Sequence, residues 1–253
     1  MINYLNLQLN LVFTLFRYTK YKFFNSKKFD YIFLNSTKKK NFFKIFSYFK
    51  LSKSQFRQDL FVLNQLNFKR NGYFVEFGAT DGLKYSNTYL LEKKFLWKGI
   101  LAEPSKSFHK ELTKNRNCDV EKKIVWKNSN SKLVFCETYN PTWSTIKKYM
   151  NKDFNKRHLK KEYMVKSISL NNLLKKYNAP KIIDYLSVDT EGTELDILSN
   201  FNFNNYKFKI ITCEHNYTPA REKIYTLLKN KGYKRILSNI SQVDDWYINS
   251  SIV

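Results

Sequence analysis

The 253-residue chain contains little of several residue types that mark common folds and sites. Its three cysteines, Cys118, Cys136 and Cys213, lie far apart and form no CxxC pair. That spacing argues against a disulfide framework and a zinc knuckle, and it suits a reducing compartment. The chain also has only six glycines. Where such a scarce residue clusters, the backbone geometry of the cluster is expected to require it.

Long apolar runs are missing as well. Residues 1–16 are partly apolar, but they include four amide side chains and begin without a basic segment. The stretch is also shorter than the roughly 20 residues that a membrane-spanning helix needs. The sequence therefore predicts no secretory signal and no transmembrane segment, and a cytoplasmic protein.

Acidic residues are scarce relative to basic ones: 21 Asp and Glu stand against 45 Lys and Arg, a formal charge of +24. Residues 1–70 contribute 14 basic and 2 acidic side chains, so half of the excess lies in little more than a quarter of the chain. Two interpretations stay open. The charge could attract polyanions or anionic membranes, or it could reflect a compositional bias toward lysine. The scattered positions of the lysines favour the compositional interpretation.

Composition divides the chain into two parts. Residues 1–51 form a predicted basic, aromatic-rich N-terminal extension whose first 50 residues contain no glycine, no proline and a single acid, Asp30. Residues 52–253 form the predicted catalytic domain. The extension has no clear helical or strand period, and we expect residues 1–50 to be the part that could contact an anionic membrane surface peripherally.

From residue 52 onward, short apolar runs alternate with amphipathic stretches. Strands are predicted at 73–77, 98–103, 120–126, 132–135, 182–188, 208–213, 233–237 and 246–248. Helices are predicted at 54–66, 87–94, 105–115, 170–177, 194–200 and 220–231, and the basic stretch after residue 145 is expected to be rich in helix. This alternation is typical of an α/β protein with a mostly parallel sheet covered on both faces, closed by an antiparallel pair.

Four of the six glycines fall between Gly72 and Gly99. Within that range, the apolar run 73–77 leads into a glycine turn and then a helix. We call residues 76–82, of sequence EFGATDG, the cofactor loop. Such a turn lets a ligand approach the main chain at the carboxyl edge of the sheet, beside a helix N-terminus.

Two acids flank the cofactor loop. Glu103 follows Gly82 by 21 positions, at the end of the next predicted strand, where a carboxylate can accept hydrogen bonds from both hydroxyls of a ribose. Glu76 would repel a pyrophosphate and attract a cationic amino-acid group. The GxGxxG spacing of dinucleotide sites is absent. The residues therefore favour S-adenosylmethionine over NAD as the cofactor.

Several blocks in order carry a family resemblance. They are SQ at 54–55, QDLFV at 58–62, FVEFGATDG at 74–82, SNT at 86–88, LE at 91–92, WKGILAEP at 97–104, IDYLSVDTEGTE at 183–194 and EHNY at 214–217. Together they resemble the FkbM family of methyltransferases over about residues 52–248. Arg57 departs from this pattern, since many relatives have a glycine there.

The resemblance implies a class I methyltransferase that acts largely on hydroxyls, often of sugars or polyketides. It implies a Rossmann-like, doubly wound, mostly parallel seven-stranded sheet with helices on both faces. The cofactor would be S-adenosylmethionine. The candidate cofactor-binding residues, from the resemblance and the loop pattern together, are Glu76, Gly78, Ala79, Asp81, Gly82 and Glu103.

The residues that follow the predicted strands 182–188 and 208–213 are candidates for catalysis, because the ligand of a doubly wound sheet lies beyond the carboxyl ends of the strands. Methyl transfer to a hydroxyl needs positioning and a base. His215, Asp189 and Glu214 are the candidate catalytic residues. Asp189, Glu191 and Glu214 could instead bind a divalent cation that lowers the pKa of the hydroxyl. Tyr139, Pro141 and Trp143 lie in a loop where an acceptor could stack.

Three functions remain open on the sequence. The preferred one is O-methylation of a hydroxyl on a sugar, a glycan or another small molecule. The charge raises the alternative of a nucleic-acid methyltransferase, although nucleic acid is not the expected partner because the chain lacks the Asn/Asp-Pro-Pro-aromatic signature for base amines. The aromatic, basic extension raises the third alternative, a non-catalytic methyltransferase-like adaptor at a membrane surface.

Overall fold

The computed structural model describes residues 26–153 and 155–253. Its helices are α1 (Ser26–Asn35), α2 (Phe42–Tyr48), α3 (Gln58–Gln65), α4 (Tyr89–Phe95), α5 (His109–Asn115), α6 (Leu170–Lys176), α7 (Glu194–Ser199) and α8 (Ala220–Asn230). Its strands are β1 (Tyr73–Phe77), β2 (Lys98–Ala102), β3 (Asp119–Glu121), β4 (Ile124–Trp126), β5 (Lys132–Thr138), β6 (Thr145–Ile146), β7 (Leu159–Ser169), β8 (Ile182–Val188), β9 (Lys207–Glu214), β10 (Tyr233–Ile236) and β11 (Asp244–Asn249).

Seven strands form the larger sheet, in the order β10-β11-β9-β8-β1-β2-β3. The neighbours from β9 to β3 pair in parallel, whereas β11 is antiparallel to both β9 and β10. The α/β class and the antiparallel closing pair are confirmed, and the sheet as a whole is mixed. The reason is connectivity: a short loop joins β10 to β11, and such a loop returns the chain in the opposite direction, whereas parallel neighbours need a longer crossover.

The larger sheet is buried on both faces. Alternate residues of β1 point to opposite sides, so that Val75 and Phe77 belong to one core cluster and Phe74 to the other. Helices α6, α7 and α8 contribute to the first cluster, and α1 to α5 contribute to the second. Because a strand covered on both faces has no polar side, its residues read as a continuous apolar run. The prediction of helices on both faces is confirmed.

Part of the predicted N-terminal extension packs into this core. Phe29, Phe33 and Ile45 are buried in the same cluster as α3. The Phe33 ring meets the ring of Trp246 edge to face, with 6.2 Å between centroids. The predicted boundary between residues 51 and 52 is therefore crossed by core contacts, and it stays a prediction. Residues 1–25 of the extension, including the segment considered for a signal, lie outside the described residues.

Arg57 enters α3 in the left-handed conformation, with φ of 63°. This is the position at which the resemblance predicts glycine, the residue that adopts a positive φ without a steric cost. Asp30 of α1 accepts two hydrogen bonds from the Arg57 guanidinium, at 2.8 and 2.9 Å, and the carbonyl of Phe49 accepts a third at 3.1 Å. We infer that these contacts offset the backbone strain, and they link α1 to the start of α3.

A smaller sheet, which the sequence did not predict, has the strand order β4-β7-β5-β6. The expectation of helix in the basic stretch after residue 145 is wrong at 159–169, where the chain forms β7. Tyr163 and Val165 of β7 pair with Phe135 and Leu133 of β5. The lysines that flank this pair in β7, at 160, 161 and 166, hide the period of two. The predicted strand 120–126 is also two strands, because β3 belongs to the larger sheet and β4 to the smaller.

Membrane-spanning helices were sought over the same described ranges, 26–153 and 155–253. None of the helices there combines the length and the apolar character that crossing a bilayer requires.

Replacing Phe33 should test whether α1 is part of the folded core. Its side chain is 1% exposed, so we expect Phe33→Ala to lower the free energy of unfolding by about 3–5 kcal/mol through the cavity it leaves. Tyr31→Ala is the matched control, because Tyr31 lies on the same helix, is 68% exposed and should change stability by less than about 0.5 kcal/mol. Urea unfolding of both variants measures the difference; equal midpoints would show that α1 does not pack as described.

Candidate functional site

The cofactor loop is shaped by left-handed backbone at Gly78, Thr80 and Gly82, with φ of 70°, 48° and 76°. Gly78 also makes the closest approach between the loop and the segment after β8. A Cβ atom at Gly78 would lie 2.0 Å from the carbonyl oxygen of Asp189. Glycine is therefore required there both by conformation and by space. This contact places the cofactor loop directly against the predicted catalytic segment.

Glu76 is engaged by the chain that follows the cofactor loop. Its carboxylate accepts hydrogen bonds from the Asn87 backbone N–H at 2.6 Å, from the Ser86 hydroxyl at 3.1 Å and from the Thr88 hydroxyl. The guanidinium of Arg116 lies 3.6 Å from it. These partners use most of the acceptor capacity of a carboxylate. Glu76 lines the cavity described below, but much of its charge is neutralised within the fold.

Arg116 is the positioning residue that the sequence analysis missed. Its side chain is fully buried, and it contacts Glu76 and Glu92, the latter at 2.5 Å. It also donates to the Gly82 carbonyl and to the hydroxyls of Ser86 and Thr88. One signal could have identified it: the chain has 7 arginines among 45 basic residues, and a planar guanidinium suits buried multidentate ion pairs better than lysine does.

Glu103 occupies the predicted position for a ribose. One carboxylate oxygen accepts the Thr80 backbone N–H at 2.9 Å, and the other accepts the Ser105 N–H at 2.8 Å. Each oxygen therefore keeps acceptor capacity. Burial raises the pKa of Glu103 to about 7, while the two N–H groups act to lower it. The residue lines the cavity, where this remaining capacity matches the predicted pair of hydroxyl contacts.

The other predicted loop residues have different positions. Asp81 accepts the backbone N–H groups of Leu83 and Lys84, at 2.9 and 2.7 Å, which closes the turn from within. Ala79 is buried in the core, and a Cβ atom at Gly82 would meet Leu112 and Arg116. None of the three lines the cavity. They shape the cofactor loop, and direct contact between them and a cofactor stays a prediction.

A cavity of 370 Å³ opens at the carboxyl ends of β1, β2, β8 and β9. Of the residues predicted from sequence, it brings together Glu76, Gly78, Glu103, Asp189, Glu191 and Glu214. The smaller sheet provides an apolar wall through Ile124, Val125 and Phe135. Lys84 is the one lysine that lines it, against five carboxylates. The volume is within the range of small-molecule sites.

Three of these carboxylates form a cluster. Asp189, Glu191 and Glu214 each offer one oxygen, and the three oxygens lie within 4.8 Å of one another. Burial, followed by mutual repulsion, raises the pKa of Asp189 and Glu214 well above the usual values. Burial likewise raises the pKa of Glu191 to about 7. Glu214 Oε2 is buried without a hydrogen-bond partner.

His215 lies apart from this cluster. It lines a second, smaller cavity of 170 Å³ and not the larger one. Its Nδ1 accepts the Tyr217 backbone N–H at 2.9 Å, so the proton of the neutral ring is on Nε2, which lies 3.7 Å from Asp245. Burial lowers its pKa to about 3. This geometry leaves His215 no nitrogen to take a proton from a ligand in the larger cavity. The predicted role as base is not favoured.

The loop after β5 covers part of the cavity. Of the three loop residues that the sequence left open, Pro141 and Trp143 line the cavity, whereas Tyr139 is 72% exposed and does not. Arg157 donates to the Trp143 carbonyl at 2.8 Å and pairs with Glu191, which has a left-handed φ of 57°. Arg157 thus ties the loop to the acidic cluster. The sequence analysis missed this residue also.

Comparisons with known proteins relate the chain to methyltransferases. The model of the methyltransferase FkbM domain matches residues 76–235. Among curated proteins, no significant match was found. A solved structure of precorrin-6y C5,15-methyltransferase from Geobacter metallireducens GS-15 is 9% identical, with a TM-score of 0.41 over 75% of this chain and 85% of that one. A proposed RNA methyltransferase from Pyrococcus horikoshii is 10% identical, with a TM-score of 0.37 over 76% and 81%.

Substituting Gly78 should separate a required glycine from a merely convenient one. The Asp189 carbonyl blocks the added methyl group, so we expect Gly78→Ala to lower the free energy of unfolding by about 2–4 kcal/mol. Gly232→Ala is the control: its φ is 85°, but a Cβ atom there meets no atom within 4 Å, and only the backbone cost of about 1–2 kcal/mol should appear. Urea unfolding compares the two variants, and equal losses would contradict the close approach.

Proposed function

Because the chain belongs to the FkbM methyltransferase family, we propose that it transfers a methyl group from S-adenosylmethionine to a hydroxyl of a sugar, a glycan or another small molecule. The family makes the chain a methyltransferase. The observation that supports the finer proposal is one continuous cavity. It is lined both by the cofactor loop with Glu103 and by the carboxylates after β8 and β9.

Cofactor binding is supported by the chemistry of the lining. Glu103 has one acceptor position left on each oxygen, which suits the two hydroxyls of a ribose. Ile124, Val125 and Phe135 offer an apolar surface for a purine ring. S-adenosylmethionine carries a sulfonium and an ammonium group beside one carboxylate, and the acidic side chains of the cavity offer oxygen acceptors to these cationic groups.

When bound, S-adenosylmethionine would supply an electrophilic methyl group. The acceptor oxygen would bond to the methyl carbon, and the sulfur would keep the electron pair of the broken carbon–sulfur bond. The chain must orient the acceptor in line with this bond and receive the hydroxyl proton. We assign proton acceptance to the carboxylate pair of Asp189 and Glu214, because both line the cavity and belong to one cluster.

A sugar or similar polyol is the acceptor class that the cavity rim supports. Asn140, Thr142 and Asn155 present amide and hydroxyl groups, which pair with the hydroxyls of a sugar. Trp143 contributes an indole ring that is 37% exposed, available to stack on the apolar face of a pyranose. Thr142 donates to Asn140 at 2.9 Å and Asn155 donates to Glu191 at 3.4 Å, so these groups are oriented at the rim while they keep further donor and acceptor capacity for a polyol.

A divalent cation is a second candidate at the acidic cluster. Oxygens of Asp189, Glu191 and Glu214 lie within 4.8 Å of one another and suit hard, oxygen-binding ions such as Mg²⁺. Glu214 Oε2 is buried without a hydrogen-bond partner, and a bound cation would supply one. These three residues would hold the ion, which would lower the pKa of an acceptor hydroxyl.

The two alternative functions are less well supported. A nucleic-acid methyltransferase must admit phosphates near its cavity, and among the described residues the lining offers a phosphate one lysine, Lys84, beside five acidic side chains that supply no positive charge. A non-catalytic adaptor has no need for a cavity that joins the cofactor loop to buried acids. Both alternatives remain outcomes of the experiments below.

The pH dependence of cofactor binding should report on Glu103. Its pKa of about 7 lies above the usual 4.5, so its ionised form, which binds the ribose, gains population as pH rises from 6 to 8. We expect calorimetry to show affinity increasing about tenfold over this range. The contribution of Glu103 to the stability of the free protein changes with pH in the opposite direction. It is complete below about pH 4.5 and is lost as pH rises through about 7.

Glu103→Gln should remove this pH dependence and weaken binding at pH 8 by tenfold or more. Glu111→Gln is the matched control, because Glu111 is an exposed acid of α5, and it should leave both the affinity and its pH profile unchanged. Unaltered binding by Glu103→Gln would contradict the assignment of the ribose position.

Asp189→Asn should separate binding from turnover. With cofactor labelled on its methyl group and a panel of glycans, lipids and nucleic acids, we expect label in glycans with the natural chain and a loss of at least about a hundredfold in turnover with the variant. Cofactor affinity should change much less, and exposed Asp119→Asn is the control.

A chelator arm decides the metal question. If a cation is bound, chelation should abolish turnover and Mg²⁺ or Mn²⁺ should restore it; full activity after chelation leaves the carboxylates acting without a metal. Label appearing only in nucleic acid, or no cofactor binding at all, would overturn the proposed function.

A further inference from the structure

Two phenylalanines of α2 are exposed in a way that a packed helix does not explain. Phe43 is 84% exposed and Phe46 is 63% exposed. They are three positions apart and therefore lie on one face of the helix. The opposite face carries Ile45, which is fully buried in the core. The helix thus has one apolar face inside the protein and a second one outside.

The exposed rings are held in place by the rings beneath them. Phe43 meets Phe42 edge to face, with 5.4 Å between centroids, and Phe46 lies 6.1 Å from Phe49. Phe49 in turn packs on Phe33 of the core. These contacts present the two exposed phenyl groups from a supported helix.

The chain segment that contains α2 is basic. No acidic residue occurs between Asp30 and Asp59, and residues 38–53 contain six lysines. Two of these are engaged locally: Lys38 donates to the Gln65 carbonyl, and Lys44 lies over the Phe68 ring. Lys39, Lys40 and Lys50 are exposed. We call these three lysines, together with Phe43 and Phe46, the α2 surface.

We propose that the α2 surface docks on an anionic lipid bilayer. Phenyl rings beside lysines are the composition of helices that lie in the interface of a membrane, where the rings enter the boundary between headgroups and chains and the lysines meet anionic headgroups. Neither cavity described above includes Phe43 or Phe46. The rings therefore lie outside both of these cavities, and rings that project beside lysines match a lipid surface better than the grooves in which nucleic-acid bases stack.

The position of the α2 surface relates it to the larger cavity. Leu51, just after α2, is exposed, and four residues later Gln55 lines the cavity. Ser54 forms an isolated bridge with Tyr85, another residue of the cavity wall. Four residues span at most about 14 Å. Docking through α2 would accordingly hold the cavity close to the lipid surface.

The experiment measures partition of the full chain onto vesicles of phosphatidylcholine, with and without phosphatidylserine. We expect binding only to the anionic vesicles, and weaker binding at higher salt. Phe43→Ser/Phe46→Ser should reduce the partition coefficient about tenfold or more, and Lys39→Gln/Lys40→Gln/Lys50→Gln should do the same at low salt.

Two control variants match these changes elsewhere on the chain. Leu159→Ser/Met164→Ser removes exposed apolar side chains of β7, and Lys110→Gln/Lys114→Gln/Lys122→Gln removes an equal charge. Both should bind vesicles as the natural chain does. The lysine variants alter only exposed side chains and should fold as the natural chain does, so a loss of vesicle binding in them cannot be attributed to misfolding.

Three outcomes would overturn the proposal: no binding to anionic vesicles, binding that the α2 variants leave unchanged, or equal loss in the control variants. The second would place the contact outside the α2 surface. Retained vesicle binding by a protein that fails to bind S-adenosylmethionine would leave the docking proposal standing and remove only the proposed function.

Discussion

The buried guanidinium of Arg116 holds together the parts on which the candidate site depends. It contacts Glu76 at the end of β1, Glu92 in α4, the carbonyl of Gly82 and two hydroxyls beyond the cofactor loop. Removing one partner of such a network leaves an uncompensated buried charge, at a cost of about 3–5 kcal/mol. The network fixes the turn from which the main chain faces the cavity.

The site combines an acidic cavity with a basic chain. The chain carries a formal charge of +24, while five carboxyl groups line the cavity and three of them cluster at the carboxyl ends of β8 and β9. The parallel pairing of β1, β8 and β9 brings their carboxyl ends to one edge, and Gly78 allows the loop after β1 to touch the backbone of Asp189. Charge in the cavity therefore follows from topology and not from overall composition.

Much of the fold could be predicted because its strands are apolar on both faces. The predicted bounds of β1 and β8 agree with the structure, and so does the family resemblance. β7 could not be predicted in the same way: its lysines face solvent and its pairing with β5 is not local, so the alternation of Tyr163 and Val165 was obscured. The position of His215 could not be predicted either, because it depends on non-local packing: the buried ring lies 3.7 Å from Asp245 and lines a second cavity.

The sequence by itself determined the cofactor loop, the family and the succession along the chain of the strands and helices that form the larger sheet. These features depend on local period, glycine geometry and motif spacing. Only the tertiary structure decided which polar side chains face the cavity. Asp81 accepts hydrogen bonds within its own loop, and His215 lines the second cavity instead of the larger one. Arg116 and Arg157 form ion pairs between segments that are far apart in the chain. The physical reason is that side-chain direction and ion pairing are set by packing between elements, which no single segment encodes.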